Sequence, residues 1–321
     1  MVAATTPVQQ SSATRRISVV ICAWTMRRWL NILDAIDSVI SQEPRPDEVI
    51  LVVDANRELY ERAVEALPGV IVVENTSARG EAGARNTGLA AASGDIIVYM
   101  DDDAAAEPGW LAALLDRYAD EQVVAVGGAL APQWEGGRPG WFPEEFDWVV
   151  GCTYRGLPEH VAAVRNIIGA NMSFRRSALE SVGGFRLDLG RVMALPAACA
   201  ETELCIRLRQ RAAGHTVLYD PWAVVRHQVP RDRATWRYFV RRCYSEGMGK
   251  AAMGRTVGSR DGLSSELTYS TRTLPLGILR NLRRGKPGKA VAIVAGLVCA
   301  AAGYVVGTVQ YATLSSGRTC G

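Results

Sequence analysis

The chain has 321 residues, 48% of them hydrophobic and 21% charged, with a formal net charge of +3. That length and apolar content suit one large α/β core or two modest ones and exclude disorder over most of the chain. So small a positive excess, with no stripe of arginines and aromatics, gives no basis for nucleic-acid binding. Seven cysteines, odd in number and without a CxxC pair, argue against a disulfide framework or a zinc ribbon and fit a reducing, cytosolic setting.

Residues 1–16 are polar, lack the apolar run of a signal peptide and are expected to form a loose tail. ISVVICAW, from Ile17, has the β-branched content and length of a buried strand, and WLNILDAIDSVISQ places apolar residues at helical spacing up to the break at Pro44. DEVILVVDAN predicts a second strand, ELYERAVEAL a second helix ending at Pro68-Gly69, and VIVVEN a third strand. GEAGARNTGLAAAS continues as a helix and DIIVYM as a fourth strand. This alternation predicts an α/β fold, a mostly parallel sheet flanked by helices, with a ligand crevice beyond the carboxyl ends of the strands. After Pro108, WLAALLDRYAD sets Leu111, Leu114, Leu115 and Tyr118 on one side of a further helix.

Between 127 and 165 the signals are weak, except that the aromatic density of WFPEEFDWVVGCTYRG predicts a packed insertion beside the crevice. GANMSFRRSALESVGGF reads as strand then helix, and ETELCIRLRQRAAGH as a helix with Leu204 and Leu208 inward and a stop at Gly214. TVLYDPWAVVRHQV is expected to form two short extended segments broken at Asp220-Pro221. The basic, aromatic stretch from Arg231 to Arg255 fits either an interfacial helix on an anionic membrane or a packing helix with solvated arginines. Residues 290–309 carry no charge over a length that spans a hydrocarbon core, so they are a transmembrane candidate, with a buried core helix or hairpin as the alternative. Arg280, Arg283, Arg284, Lys286 and Lys289 precede this segment and only Arg318 follows it, which by the positive-inside rule keeps the preceding chain cytoplasmic. Gly303 and Gly307 form a GxxxG that could pair helices. The expected divisions are a catalytic unit at 17–240, a basic juxtamembrane segment at 241–289, the apolar helix and a tail at 310–321.

Asp101, Asp102 and Asp103 lie side by side at the end of the fourth strand. Their mutual repulsion is relieved most directly by a divalent cation with a taste for hard oxygen ligands, Mg2+ or Mn2+. A solvated acidic turn is the plain alternative, made less apt by the buried strand that leads into it.

In order and spacing, SVVICAW, VVDAN, GARNTGLAAASGDIIVYMDDD, NMSFRRSALESVGGF, ETELCIRLRQRAAGH and VRHQVP resemble the family 2 glycosyltransferases of GT-A fold over about residues 17 to 250. A narrower likeness, in WFPEEFDWVVGCTYRG and AETELCIRL, is to membrane glycosyltransferases of the glucosyl-dolichyl phosphate glucuronosyltransferase type. The resemblance implies an inverting transfer of a sugar from a UDP- or GDP-linked donor to a lipid-linked or glycan acceptor, at the cell membrane. It assigns Ala23, Trp24 and Asp54 to the base of the nucleotide, Arg85 and Asn86 to its flank, and Asp101 and Asp102 to the ribose side. Asp103, Asp101 and His227 become the metal ligands, although for Asp54, Arg85 and His227 a turn former, a helix-start arginine and a core histidine are the plain readings. Glu201 takes the place of the general base, while Ala200 stands where the family usually has the first acid of a pair. Glu203 is the rival base or a helix N-terminal acid, and Arg233, Arg242 and Trp148 are possible acceptor or diphosphate contacts. Two other classes share parts of the pattern. A sugar nucleotidylyltransferase would need a Gly-rich, Lys-containing loop where CAWTMRRW stands, and a membrane-anchored binding protein would bind nucleotide without turnover.

Overall fold

The computed structural model describes residues 15–188, 200–258 and 264–316. Most of the expected N-terminal tail and the last five residues lie outside that range. The first half repeats a strand-helix step: β1 (Ile17–Ala23), α1 (Trp29–Ile40), β2 (Glu48–Val53), α2 (Arg57–Ala66), β3 (Ile71–Glu74), α3 (Glu81–Ala91) and β4 (Ile96–Asp101). There follow β5 (Ala104–Ala106), α4 (Trp110–Asp116), β6 (Val123–Trp134), β7 (Ala162–Ala163), β8 (Asn171–Arg175), α5 (Arg176–Val182), α6 (Ala200–Arg211) and β9 (Thr216–Val229). The chain closes with α7 (Trp236–Val257), α8 (Ser264–Thr268), a π-helical turn, α9 (Leu274–Arg283) and α10 (Pro287–Ser316).

One nine-stranded sheet runs β3-β2-β1-β4-β8-β6-β9-β5, with β7 on β9. Its first four strands are parallel, as the alternation predicts. Beyond β4 the sheet is mixed, because β8 runs antiparallel to both β4 and β6. Successive strand residues point to opposite faces, and both faces here are covered, so the strands read as unbroken apolar runs. Val19, Ile21 and Leu51 share one core cluster with Ile32, Ile36 and Val39 of α1, while Val20, Ile50 and Tyr99 belong to a second, on the opposite face, that also takes in Leu204 and Leu208 of α6. Gly88 lets α3 come close to the sheet: a Cβ there would lie 2.3 Å from a methyl carbon of Val20.

Two expectations change. TVLYDPWAVVRHQV forms one continuous strand, β9, because a register irregularity opposite Gly128/Ala129 absorbs the Asp220-Pro221 step. The boundary expected at residue 240 falls inside α7, a helix capped by Thr235, whose hydroxyl accepts from the Tyr238 amide. That helix buries Phe239, Cys243, Met248 and Met253, so the packing reading holds for it. The amphipathic surface helix is instead α9, which exposes Leu276, Leu279 and Leu282 next to Arg283 and Arg284.

Helix α10 is longer than the predicted span at both ends and is apolar enough to cross a membrane over Pro287–Gln310. Its GxxxG serves an intramolecular contact: a Cβ on Gly303 would sit 2.0 Å from the Tyr244 carbonyl oxygen, and one on Gly307 2.9 Å from the Ala251 methyl. Small residues on this face let α7 and α10 run side by side in the same direction. The other face leaves Val291, Val294, Val298, Val305 and Val309 exposed.

Candidate active site

The carboxyl end of β4 delivers Asp101, and the turn into β5 delivers Asp102 and Asp103. Strand β5 pairs with β9 so that Ala104 stands opposite His227, and the Gln228 amide donates to the Asp103 carbonyl at 2.9 Å. That pairing is why a histidine 124 positions downstream of Asp103 reaches the cluster: His227 Nε2 lies 3.3 Å from Asp103 Oδ1. One ligand atom each from Asp101, Asp103 and His227 falls within 4.8 Å of the others. Two hard oxygen donors and an imidazole, buried or half-buried and converging on one point, fit a divalent cation such as Mn2+ or Mg2+.

Asp102 does not join the other two aspartates. It is 2% exposed and turned into the protein, where Arg28 Nη1 binds its Oδ1 at 2.5 Å and Arg28 Nη2 binds Asp103 Oδ2 at 2.9 Å. Burial pushes the Asp102 carboxyl up to about 7 against the pull of Arg28, whereas Asp103, despite burial, is held well below the usual range by His227, Arg28 and Arg233. Arg233 stands 4.0 Å from Asp103 Oδ2, at this same end.

Arg85 and Asn86 are both engaged by protein groups. The Arg85 guanidinium, 2% exposed, contacts Glu81 at 2.5 Å, Asp101 at 3.4 Å and the Gly169 carbonyl at 3.2 Å, so it fixes the Asp101 carboxylate from behind. The Asn86 side-chain amide donates to the Phe185 carbonyl and accepts from the Phe185 amide, both at 2.8 Å, from the middle of α3. Ala23, Trp24 and Asp54 do converge, at the adjoining ends of β1 and β2: the Asp54 amide donates to the Ala23 carbonyl at 2.8 Å, and Trp24 is exposed. The Asp54 carboxylate accepts from the Asn75 side chain at 2.7 Å and from the Gly80 amide at 2.8 Å, which shapes the loop into α3.

Glu201, in the first turn of α6, faces the same cavity as Asp101 and His227, a space of about 910 Å³. Burial and the Glu81 charge push its carboxyl up to about 7, against the opposing pull of Arg85. A carboxylate poised there can exchange a proton near neutral pH. Glu203, two residues along the helix, points to the opposite side, 1% exposed, bound by Arg207 at 2.8 Å.

The far wall of the cavity comes from the insertion and the C-terminal helices. The Trp148 indole N–H donates to the Tyr269 hydroxyl at 3.0 Å and its ring carries the Arg242 guanidinium 5.8 Å from the centroid. Arg242 pairs with Glu246 at 2.9 Å, Glu246 with Lys250 at 3.4 Å, Lys250 with Glu266, and Glu266 with Arg165 at 2.5 Å. Arg28, Glu81, Arg165, Glu246, Lys250 and Glu266 escape sequence reading, whereas Arg242 and Trp148 are among the residues it names. For Arg28 alone a signal existed, since it follows β1, the strand that borders β4.

Residues 18–183 match the family model of glycosyl transferase family 2. The glucosyl-dolichyl phosphate glucuronosyltransferase of Haloferax volcanii is 36% identical over 242 residues, covering 74% of this chain and 77% of that protein. A pre-mycofactocin glycosyltransferase of Mycobacterium tuberculosis is 30% identical over 51% of this chain and 33% of its own length. In fold, the mannosyltransferase PcManGT of Pyrobaculum calidifontis, solved with GDP-Man and Mn2+, superposes with a TM-score of 0.56 at 19% identity over 88% of this chain and 86% of that one. The chain therefore belongs to glycosyl transferase family 2 and has the GT-A fold.

Proposed function

We propose that the chain is a metal-dependent, inverting hexosyltransferase that moves a sugar from a nucleotide diphosphate to a lipid-linked acceptor on the cytoplasmic side of a membrane. One observation carries the reading: Glu201, with a carboxyl near 7, lines the same cavity as Asp101 and His227, which with Asp103 form the candidate cation site. Asp101, Asp103 and His227 would hold the cation, and the chemistry it supplies is neutralisation of the charge that grows on the departing diphosphate. Glu201 takes the proton of the acceptor hydroxyl as that oxygen bonds to the anomeric carbon. The bond from that carbon to the diphosphate oxygen breaks on the opposite face, and its electron pair leaves with the nucleotide. Arg85 keeps Asp101 oriented, Arg233 adds positive charge beside Asp103, and Ala23, Trp24 and Asp54 take the base.

The lipid-linked acceptor is supported by the name of the Haloferax volcanii relative and by the apolar α10. Residues 17–240 make up the catalytic unit and 241–309 the membrane-facing one, with α7 shared between them. Sidedness follows from the basic residues that precede α10. The test is a transfer assay with a panel of nucleotide sugars and lipid-linked acceptors, repeated with Glu201→Gln and Asp103→Ala. Loss of turnover in both supports the mechanism, and full activity in both removes it.

A further inference from the structure

Helix α10 has the length and apolar content of a span, yet its neighbours do not suit one. It is fastened to the folded body over most of its length. Lys289 pairs with Glu144 at 2.7 Å, and Ala292 and Ile293 lie in the same core cluster as Phe142 and Phe239. Further along, Gly296, Gly303 and Gly307 let Phe146, Tyr244 and Ala251 approach closer than a Cβ would allow. From Lys289 to Gly307 is about 27 Å at 1.5 Å per residue, close to the roughly 30 Å of a hydrocarbon core. Were that stretch to cross a bilayer, α7 would cross beside it.

The charges on α7 oppose this. Arg237 and Arg241, both exposed, line a groove with Val298 and Ala302 of α10, and on the other flank Glu246 and Lys250 line the catalytic cavity with Leu297 and Tyr304. Val298 stands midway between Pro287 and Gln310, about 17 Å from either end of the apolar stretch. Arginines at such a depth are tolerated when they face a bundle interior or a water-filled cavity, whereas Arg237 and Arg241 lie on the outside.

The uncovered part of α10 is a single stripe: Val291, Val294, Val298, Val305 and Val309 are exposed, at the spacing of one helix face. Helix α9 repeats the plan, with Leu274, Gly277 and Asn281 buried and Leu276, Leu279 and Leu282 exposed. Both helices rest on the insertion, α10 through Glu144 and Phe146 and α9 through Glu145, so both turn their apolar stripes away from it. From 267 to 321 the sequence holds no Asp or Glu. Arg280 and Lys289 are taken by Glu145 and Glu144, but Arg283, Arg284 and Lys286 are exposed and pair with no carboxylate among the described residues. Apolar faces beside uncompensated cations fit the surface of an anionic bilayer.

We infer that α10 is a monotopic anchor: it lies along one leaflet without crossing, its valine stripe and the three leucines of α9 in the hydrocarbon, and Arg283, Arg284 and Lys286 on anionic lipid headgroups. The inference rests on the membrane reading above and replaces a span by a surface contact. It leaves Arg237 and Arg241 at the level of the headgroups, where their charge stays hydrated. It also holds the catalytic cavity, which Leu297 and Tyr304 of the same helix line, at the membrane surface.

The experiment adds an epitope tag after Gly321 of the full chain and treats sealed inside-out membrane vesicles with proteinase K. Digestion of the tag together with the catalytic unit is expected. A tag protected until detergent is added means that α10 spans, which overturns the inference and leaves the membrane reading standing. The purified full chain is then floated with vesicles of phosphatidylcholine alone or with roughly one-third phosphatidylglycerol, and binding at least about tenfold tighter to the anionic vesicles is expected. Arg283→Gln, Arg284→Gln and Lys286→Gln together should abolish that preference. Val294→Gln with Val298→Gln should weaken binding to both kinds of vesicle about tenfold, with the wild-type unfolding midpoint kept because both positions are exposed. Equal binding to both vesicles, or a preference that survives the three glutamines, overturns the inference. A soluble dimer that floats with neither vesicle overturns it too, and removes the membrane reading with it.

Discussion

The two walls of the cavity are built by different physics. On the donor side, β3-β2-β1-β4 with α1 to α3 is a run of local strand-helix steps around a dry core, and the functional carboxylates simply emerge at strand ends. On the opposite side the insertion at Glu144–Val150, Arg165 and the helices α7 to α10 are tied by charge pairs between distant residues: Arg165 to Glu266, Glu145 to Arg280, and Glu144 to Lys289. Apolar burial is insensitive to pH and salt, whereas partly exposed ion pairs are not. The strand-helix wall is thus a fixed frame, and the wall of the insertion and C-terminal helices is the part that conditions can loosen.

That contrast can be sharpened by variants on each wall. The largest effect is expected from Glu201→Gln, which should lower kcat by about 10²- to 10⁴-fold, the range for a lost general base, with nucleotide binding retained. In the wild type, protonation of Glu201 below about pH 7 removes the proton acceptor, so kcat/KM should fall as pH drops through that value; the variant should lack this limb. Next comes the clamp behind the aspartates: Arg28→Met should weaken Mn2+ binding by about 10- to 100-fold, read by electron paramagnetic resonance, because outer-sphere partners orient ligands. Gly303→Val should cost about 1–3 kcal/mol of stability by forcing α10 off α7, visible as a lower unfolding midpoint with the catalytic carboxylates untouched.

The smallest effect is expected from acid. Salt bridges hold Glu144 and Glu266 at about 2, below the ordinary 4.5, so their contribution is complete above pH 4.5 and disappears as pH falls towards 2. Hydrogen exchange at pH 3 should therefore speed up in 144–150 and α8 before it does in β1, β2 and β4. Equal acceleration in both regions would break the comparison.

The same difference decides what could be read from the sequence. Strand-helix periodicity is local, so the order of the first four strands, the acids at their ends and the placement of Glu201 were legible. Asn86, Arg85 and Asp102 sit in legible motifs, yet their side chains turn inward to Phe185, Asp101 and Arg28, which only strand order and helix rotation decide. Glu203 differs from Glu201 by two helical positions and so faces away. Arg165, Glu266 and Arg280 find partners more than 100 residues off, and no spacing rule connects them. The GxxxG was visible, but its partner, α7, was not.

The central claim is that Asp101, Asp103 and His227 hold the divalent cation through which a nucleoside diphosphate binds. The most direct measurement is thermal unfolding of the wild type and Asp103→Asn with UDP or GDP, with and without Mn2+. A ligand at about 100 times its Kd should add about 2.7 kcal/mol of stability. The account predicts that gain only for wild type, only with nucleotide and metal together. The same gain without Mn2+, or in Asp103→Asn, would contradict it.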